Sequence, residues 1–170
     1  MAEREAQRSK EAEASQSPFY EWVMVEWNRW QKQGETGGVV MKGKDVPWEQ
    51  GRMGRLKYLL HPLRTDLALT NWLLFVQDIR THSGRHRHQG GLAIYVVEGK
   101  GWTTVNGVRH DWEEGDLILL PILPGGVEHQ HFNAVPGSPC KWLALIFQPL
   151  IEFMASPVDQ KEVSPDYGHA

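Results

Sequence analysis

The feature that most constrains this chain is a series of short apolar runs, separated by turn-forming residues, from about residue 56 onward. The runs follow one another at a spacing of about ten residues, with no second long helical pattern between them, which is typical of an all-β sandwich or barrel. Between two runs, Asn106–Gly107 predicts a tight hairpin, because both positions of a type I′ turn need positive φ. The eight runs are RLKYLL, TNWLLFVQDI, LAIYVV, GWTTV, VRHDW, DLILLP, VEHQHF and KWLALIF.

One amphipathic helix is predicted ahead of these strands. Ser17 and Pro18 have the pattern of an N-cap and a first helical residue, and they open a segment that continues to Gly34. Its apolar residues recur at three-and-four spacing, and we expect the barrel or a neighbouring subunit to cover the resulting stripe. A homodimer is the commonest way for a subunit to provide such cover. The stripe consists of Phe19, Trp22, Val23, Trp27 and Trp30.

Composition divides the chain into four predicted segments. Residues 1–16 are polar and charged and are expected to form a flexible arm, because they cannot bury an apolar face. Residues 17–55 are expected to contain the helix and a wrapping segment rich in Gly, Pro and charge. The barrel is predicted over residues 56–150, and residues 151–170 are predicted to form a C-terminal tail.

Charge and cysteine content argue against several classes of protein. The 170 residues carry a formal net charge of −3, without the basic, aromatic-interleaved stretch of a nucleic-acid groove. The single cysteine, Cys140, rules out an intramolecular disulfide framework and is typical of a reducing compartment. No signal peptide and no apolar run of about 20 residues are visible. We therefore expect a cytoplasmic protein that binds a small molecule, and neither nucleic acid nor membrane.

Two His-x-His pairs indicate a metal site. Successive side chains of a strand alternate between faces, so His86 and His88 point the same way, as do His129 and His131. Both pairs can converge inside one barrel. Neutral imidazole is the commonest protein ligand of transition metals, and three or four imidazoles from two strands suit a site that keeps open positions. Burying four histidines unpaired would also be unfavourable.

The two stretches that carry these pairs resemble the two motifs of the cupin superfamily. GRHRHQGGLAIYVVEGKG resembles the first motif, in which a Gly precedes His-x-His and a strand ends in a Glu-Gly-x-Gly turn. GDLILLPILPGGVEHQHFN resembles the second, with a Gly-Asp pair, a Pro-Gly turn, a metal-binding His and an Asn four residues later. The resemblance implies a double-stranded β-helix, the cupin jelly-roll barrel, with His86, His88 and His129 as metal ligands.

One departure from the cupin pattern bears on the reaction. Most metal-binding cupins place a Glu in the strand after His-x-His, where this sequence has Leu92. Three neutral ligands leave the ion its full 2+ charge, which favours binding of an anionic, bidentate oxygen ligand while a position remains for dioxygen. In this respect the sequence is most similar to the gentisate and salicylate ring-cleaving dioxygenases, whose second motif also tends to carry His-x-His.

The resemblance thus implies a dioxygenase that holds one divalent transition metal, with Fe(II) favoured over Zn, Mn or Ni, and acts on a small hydroxylated aromatic or related bidentate oxygen substrate. His131 is a candidate fourth ligand, proton shuttle or substrate contact, and Gln89 is expected to add polarity beside the metal. Alternation turns Arg85 and Arg87 away from the metal face. Two alternatives stay open: a non-oxidative isomerase, lyase or cyclase, and a binding protein without catalysis.

Overall fold

A computed structural model describes residues 17–167 of the chain. The arm predicted for residues 1–16 lies outside the described residues. Contacts divide the described chain into two compact units: one contains residues 17–39 and 65–69, and the other contains residues 40–64 and 70–167. No helix in residues 17–167 has the length and apolarity that a membrane crossing requires.

The smaller unit contains the predicted helix, α1 (Pro18–Thr36). As predicted, the Ser17 hydroxyl caps it by accepting a hydrogen bond from the backbone N–H of Tyr20 (3.5 Å), and Pro18 occupies the first turn. After α1, Gly38 pairs with Leu67 through a parallel bridge. No residue of α1 is buried, and Trp27 is 65% exposed. Cover of the apolar stripe by a barrel or a second subunit therefore stays a prediction.

The larger unit is built from two antiparallel sheets, which confirms the predicted all-β barrel. All eight apolar runs form strands, and three further strands and a short helix, α2 (Gln148–Phe153), join them. The six-stranded sheet has the order β1-β2-β3-β10-β5-β8, and the five-stranded sheet has the order β11-β4-β9-β6-β7. The strands are β1 (Glu49–Gly51), β2 (Gly54–Leu60), β3 (Trp72–Asp78), β4 (Arg85–His88), β5 (Leu92–Glu98), β6 (Lys100–Val105), β7 (Val108–Glu113), β8 (Leu117–Leu120), β9 (Val127–Asn133), β10 (Lys141–Phe147) and β11 (Asp159–Glu162).

Alternating side chains of these strands form the core between the sheets. In β5, Leu92, Ile94 and Val96 are buried, whereas Tyr95 and Val97 are exposed. Full burial of an aliphatic side chain contributes about 1.5–3 kcal/mol, so the period of two accounts for much of the stability of the barrel. The same cluster contains residues of β2, β3, β8, β9 and β10, which are Leu56, Phe75, Ile118, Leu120, Val127, Trp142, Ala144 and Ile146.

The predicted hairpin connects β6 to β7. Asn106 and Gly107 have φ values of +48° and +83°, as a type I′ turn requires. The Asn106 side-chain oxygen also accepts a hydrogen bond from the backbone N–H of Glu128 (3.0 Å), which ties the turn to β9. The turn thus helps to fix β6 beside the strand that carries the second His-x-His pair.

The segment predicted as a C-terminal tail contributes a strand to the barrel. β11 pairs with β4, and Gln160 lies opposite His86 in the register. The Gln160 amide also donates a hydrogen bond to the backbone carbonyl of Arg85 (3.2 Å). The polar sequence of β11, DQKE, has no apolar periodicity that would predict a strand.

Gly101 of β6 provides a test of this packing. A Cβ at this position would lie 2.0 Å from the carbonyl oxygen of Phe132 and 2.5 Å from the ring of Trp112, so neither partner leaves room for a methyl group. We expect Gly101→Ala to lower the free energy of unfolding by at least about 2 kcal/mol, measured by urea denaturation.

Gly34→Ala is the matched control for this substitution. Gly34 lies inside α1, and a Cβ there meets no atom within 4 Å. Because Ala favours a helix over Gly, no loss of stability is expected. Equal stability of the Gly101→Ala and Gly34→Ala variants would contradict the packing described for β6.

Candidate metal centre

Three imidazoles meet where β4 pairs with β9. The antiparallel register places His86 directly opposite His129, and His88 lies two residues further along β4 on the same face. The ring centroid of His129 lies 4.3 Å from that of His86 and 4.8 Å from that of His88. Each ring offers one potential ligand nitrogen, and the three nitrogens lie within 4.8 Å of one another. The structure thus brings together the three residues predicted as metal ligands.

Backbone carbonyls select the same tautomer in all three rings. The Nδ1–H group of His88 donates to the carbonyl oxygen of Gln89 (2.7 Å), that of His86 to Gly84 (3.4 Å), and that of His129 to Val127 (3.3 Å). Because a carbonyl can only accept, each neutral ring carries its proton on Nδ1 and has a lone pair on Nε2. A metal-ligating histidine needs this tautomer when it binds through Nε2.

Burial keeps these imidazoles neutral. His86 and His129 are 5% and 3% exposed, and desolvation, together with the neighbouring histidines, lowers the pKa of His86 to about 4 and that of His129 well below its ordinary value. Desolvation lowers the pKa of His88 as well. All three rings are therefore uncharged at pH 7, with Nε2 free of a proton, as ligands must be. In a tetrahedral shell with metal–nitrogen bonds of about 2.1 Å, two bound nitrogens are about 3.4 Å apart, so the most widely separated pair of these nitrogens has to close by up to about 1.4 Å to chelate. The residues fit a divalent transition metal.

A cavity of about 90 Å³ adjoins the three rings. Leu92 lines it, at the position where most metal-binding cupins carry a carboxylate. Within residues 17–167, the lining contains no acidic or basic side chain apart from histidine. The site is thus all-imidazole at one end and largely apolar elsewhere. The other lining residues are Met53, Leu73, Phe75, Gln77, Ile94, His131, Trp142, Ala144, Ile146 and Val158.

His131 lies in the same cavity but outside the three-imidazole cluster. Its ring centroid is 5.4 Å from that of His129 and 4.8 Å from that of Trp142. Complete burial, together with the nearby His86 and His88, lowers its pKa to about 3. Its Nδ1 atom lies 2.7 Å from the hydroxyl oxygen of Thr103 rather than from a backbone carbonyl. His131 therefore differs from the three cluster histidines in its hydrogen bonding.

The structure places the Gln89 side chain in a different setting from the one predicted. Its amide nitrogen donates to the carbonyl oxygen of Leu123 (2.9 Å), and its amide oxygen accepts from the backbone N–H groups of Leu123 and Gly90 (3.0 Å each). Both ends of the amide thus bind backbone, and Gln89 is not among the described residues that line the cavity. These hydrogen bonds fix the loop that follows β8.

Arg85 and Arg87 lie on the outer face of β4, as alternation predicts. Both bind Glu128 of β9, at 3.3 and 3.5 Å respectively. They are 44% and 42% exposed, so the pairs contribute little stability but lie at the junction of the two histidine strands.

Sequence reasoning did not single out three residues around His131. Thr103 and Trp112 form a buried hydrogen-bonded chain with it, and Trp142 of β10 packs against its ring. The Nε1–H group of Trp142 is buried and has no hydrogen-bond partner among the described residues. Only the pairing of β6 with β9, which sets Thr103 opposite His131, would have identified Thr103 as a partner of that histidine.

Comparison with known proteins agrees with this geometry. Residues 74–146 match the family model of the cupin domain. Gentisate 1,2-dioxygenase from Ralstonia sp. is 33% identical over 88 residues, which are 49% of this chain and 24% of that enzyme. Gentisate 1,2-dioxygenase from Streptomyces sp. is 40% identical over 67 residues, 39% of this chain and 18% of that enzyme. The matched part of the chain thus spans a quarter or less of these relatives.

Solved structures share the fold. The polyketide cyclase RemF from Streptomyces resistomycificus has a TM-score of 0.54 and 21% identity, with 76% of this chain and 89% of that chain covered. A mutant of salicylate 1,2-dioxygenase from Pseudoaminobacter salicylatoxidans has a TM-score of 0.51 and 24% identity, with 86% and 40% covered. Two sheets, two histidine motifs and the family match lead to one conclusion: residues 74–146 of this chain match the cupin domain, and the chain has the fold of that domain.

Proposed function

We propose that this chain binds one divalent transition metal through His86, His88 and His129 and uses it in the dioxygen-dependent oxidation of a small substrate. Support for the metal comes from the three neutral imidazoles, each with its Nδ1–H group bound to a backbone carbonyl. Support for the reaction comes from the two gentisate 1,2-dioxygenase relatives, which are 33% and 40% identical to the barrel segment.

The proposed reaction with dioxygen favours Fe(II), because it needs an ion that can change its oxidation state. Imidazole suits Fe, Zn, Cu and Ni, and a site with three neutral ligands leaves the charge of the ion uncompensated by the protein. An anionic substrate that binds through two oxygens supplies the compensating negative charge. When bound, such an ion supplies Lewis acidity and a template that brings the substrate oxygens and dioxygen together. Zn, Mn and Ni are the alternatives for the same ligands.

The chain's own residues account for binding and for exclusion of water. Leu92, Ile94 and Phe75 present apolar surface to the cavity, which has to widen beyond its 90 Å³ to admit an aromatic ring, since a cavity of about 150 Å³ holds benzene. His131, buried beside the three ligands, provides a polar contact for a substrate oxygen. Gln89 has no part in this proposal, because its amide is bound at both ends to backbone.

Removal of a proposed ligand tests the metal site. We expect His129→Ala to weaken Zn(II) binding at least about 100-fold, because even the partners of metal ligands are worth about 10–100-fold in affinity. Titration calorimetry of the metal-free protein measures this change. His110→Ala, at an exposed position of β7, is the matched control and is expected to bind Zn(II) like the unchanged protein. Equal loss in both variants would argue against the cluster.

Acid is expected to destabilise the metal-free protein. The unfolded chain binds protons on its histidines near pH 6.5, whereas the folded chain resists protonation of His86 and His131 until about pH 4 and 3. The unfolded state therefore binds more protons between pH 6.5 and 4, and stability falls across that window. Urea denaturation at pH 7.5, 6.0 and 5.0 measures this fall.

The variant His131→Asn separates this effect from the general response to acid. It removes one buried imidazole, so its stability is expected to fall less steeply with pH than that of the unchanged protein. A free energy of unfolding that stays constant from pH 7.5 to pH 5.0 would contradict the neutral, buried state of these rings.

Oxygen uptake tests the reaction. After anaerobic reconstitution with Fe(II), we expect the protein to consume dioxygen in the presence of at least one compound from a panel of hydroxylated aromatic acids and other ligands with two adjacent oxygens. The His129→Ala variant, treated in the same way, provides the background rate. Metal binding without substrate-dependent oxygen uptake would overturn the dioxygenase and favour a non-oxidative metal cupin.

A further inference from the structure

Thr103 lies at the centre of a buried hydrogen-bonded chain. It is fully buried in β6, opposite His131 of β9 in the register. Its hydroxyl oxygen lies 2.9 Å from Nε1 of Trp112 and 2.7 Å from Nδ1 of His131. These are the hydrogen bonds that the structure gives to the Thr103 hydroxyl, so the directions of both can be worked out.

Donor counting fixes these directions. An indole N–H can only donate, so the Thr103 oxygen accepts from Trp112. The hydroxyl has one proton of its own, and Nδ1 of His131 is the acceptor within reach. If Nδ1–H donated instead, the hydroxyl proton would be buried without a partner, which is unfavourable. The hydroxyl of Thr103 therefore donates to Nδ1 of His131.

This direction determines the tautomer of His131. A neutral imidazole carries one proton, so an accepting Nδ1 requires the proton on Nε2. The three cluster histidines have the opposite tautomer, because their Nδ1–H groups donate to carbonyls. A protonated Nε2 has no lone pair for a metal. The four histidines are thus divided into three ligands and one hydrogen-bond donor.

The indole of Trp142, next to His131, indicates which kind of ligand this cavity binds. Trp142 lines the same cavity, its ring centroid is 4.8 Å from that of His131, and its buried Nε1–H lacks a partner among the described residues. An unpaired buried donor is unfavourable unless a ligand satisfies it. An N–H group on His131 and an indole N–H on Trp142, both residues of this lining, favour an oxygen acceptor over a cation, because an N–H can only donate.

We infer that Thr103 is a positioning residue that holds His131 in the Nε2–H tautomer, so that His131 donates a hydrogen bond to a substrate oxygen and stays outside the metal shell. The tautomer is a property of the chain alone. Only the contact with a substrate oxygen rests on the proposed function.

The tautomer can be observed directly in the metal-free protein. We expect long-range ¹H–¹⁵N correlation spectra of ¹⁵N-histidine-labelled protein at pH 7.5 to show His131 protonated on Nε2, and His86, His88 and His129 protonated on Nδ1. The His131→Asn spectrum identifies the signals of His131 by their absence. A proton on Nδ1 of His131 in the unchanged protein would overturn the inference, whatever the variants do.

Two substitutions test the part played by Thr103. Thr103→Val removes the hydroxyl at nearly constant volume, and we expect the proton of His131 to shift wholly or partly to Nδ1. Thr103→Ser keeps the hydroxyl and is expected to retain the Nε2–H tautomer. A purely structural role would leave the tautomer unchanged in the Val variant, and that result would also overturn the inference.

Addition of Zn(II) separates this inference from the proposed function. We expect the Nε2 resonances of three histidines to shift on metal binding, whereas His131 keeps its proton. Coordination of Zn(II) by His131 would overturn the inference. If no Zn(II) binds but the Nε2–H tautomer is observed, the proposed function fails and the role of Thr103 stands.

Discussion

The pairing of β4 with β9 is the constraint on which the rest of the site depends. A slip of either strand by one residue in this register would turn both of its imidazoles from the inside of the barrel to the outer face and separate them from those of the other strand. The shared interaction of Glu128 with Arg85 and Arg87 joins the two strands on that outer face. Inside, His86 lies directly opposite His129. The position of the rings is thus a property of the sheet rather than of any flexible loop.

Within this frame, the chemical identity of each histidine is set by the partner of its Nδ1 atom. A backbone carbonyl leaves a bare Nε2, whereas the Thr103 hydroxyl, itself occupied by the indole of Trp112, leaves a protonated one. Four identical side chains on one surface can therefore perform different tasks without any difference in charge. The match of residues 74–146 to the cupin domain agrees with the fold that carries this site.

Most of the barrel and the three-imidazole cluster could be predicted from the sequence, because strand alternation is a local property. His86 and His88 share a face for the same reason that Leu92 and Ile94 do. The role of Gln89 could not be predicted, because its partner Leu123 lies in a distant loop that only the fold brings close. The same holds for the polar strand β11 and for Thr103, whose contacts depend on the pairing of strands far apart in the chain.

The edge position of β11 has a consequence for folding. Gln160 and Arg85 bond to each other although they are 75 residues apart in sequence, and such non-local contacts slow the closure of a sheet. Until β11 pairs with it, β4 has one edge whose backbone groups are unpaired. An unpaired strand edge is a template for association with other chains. The strand that holds two of the histidines therefore keeps one edge open to misassembly until β11 pairs with it.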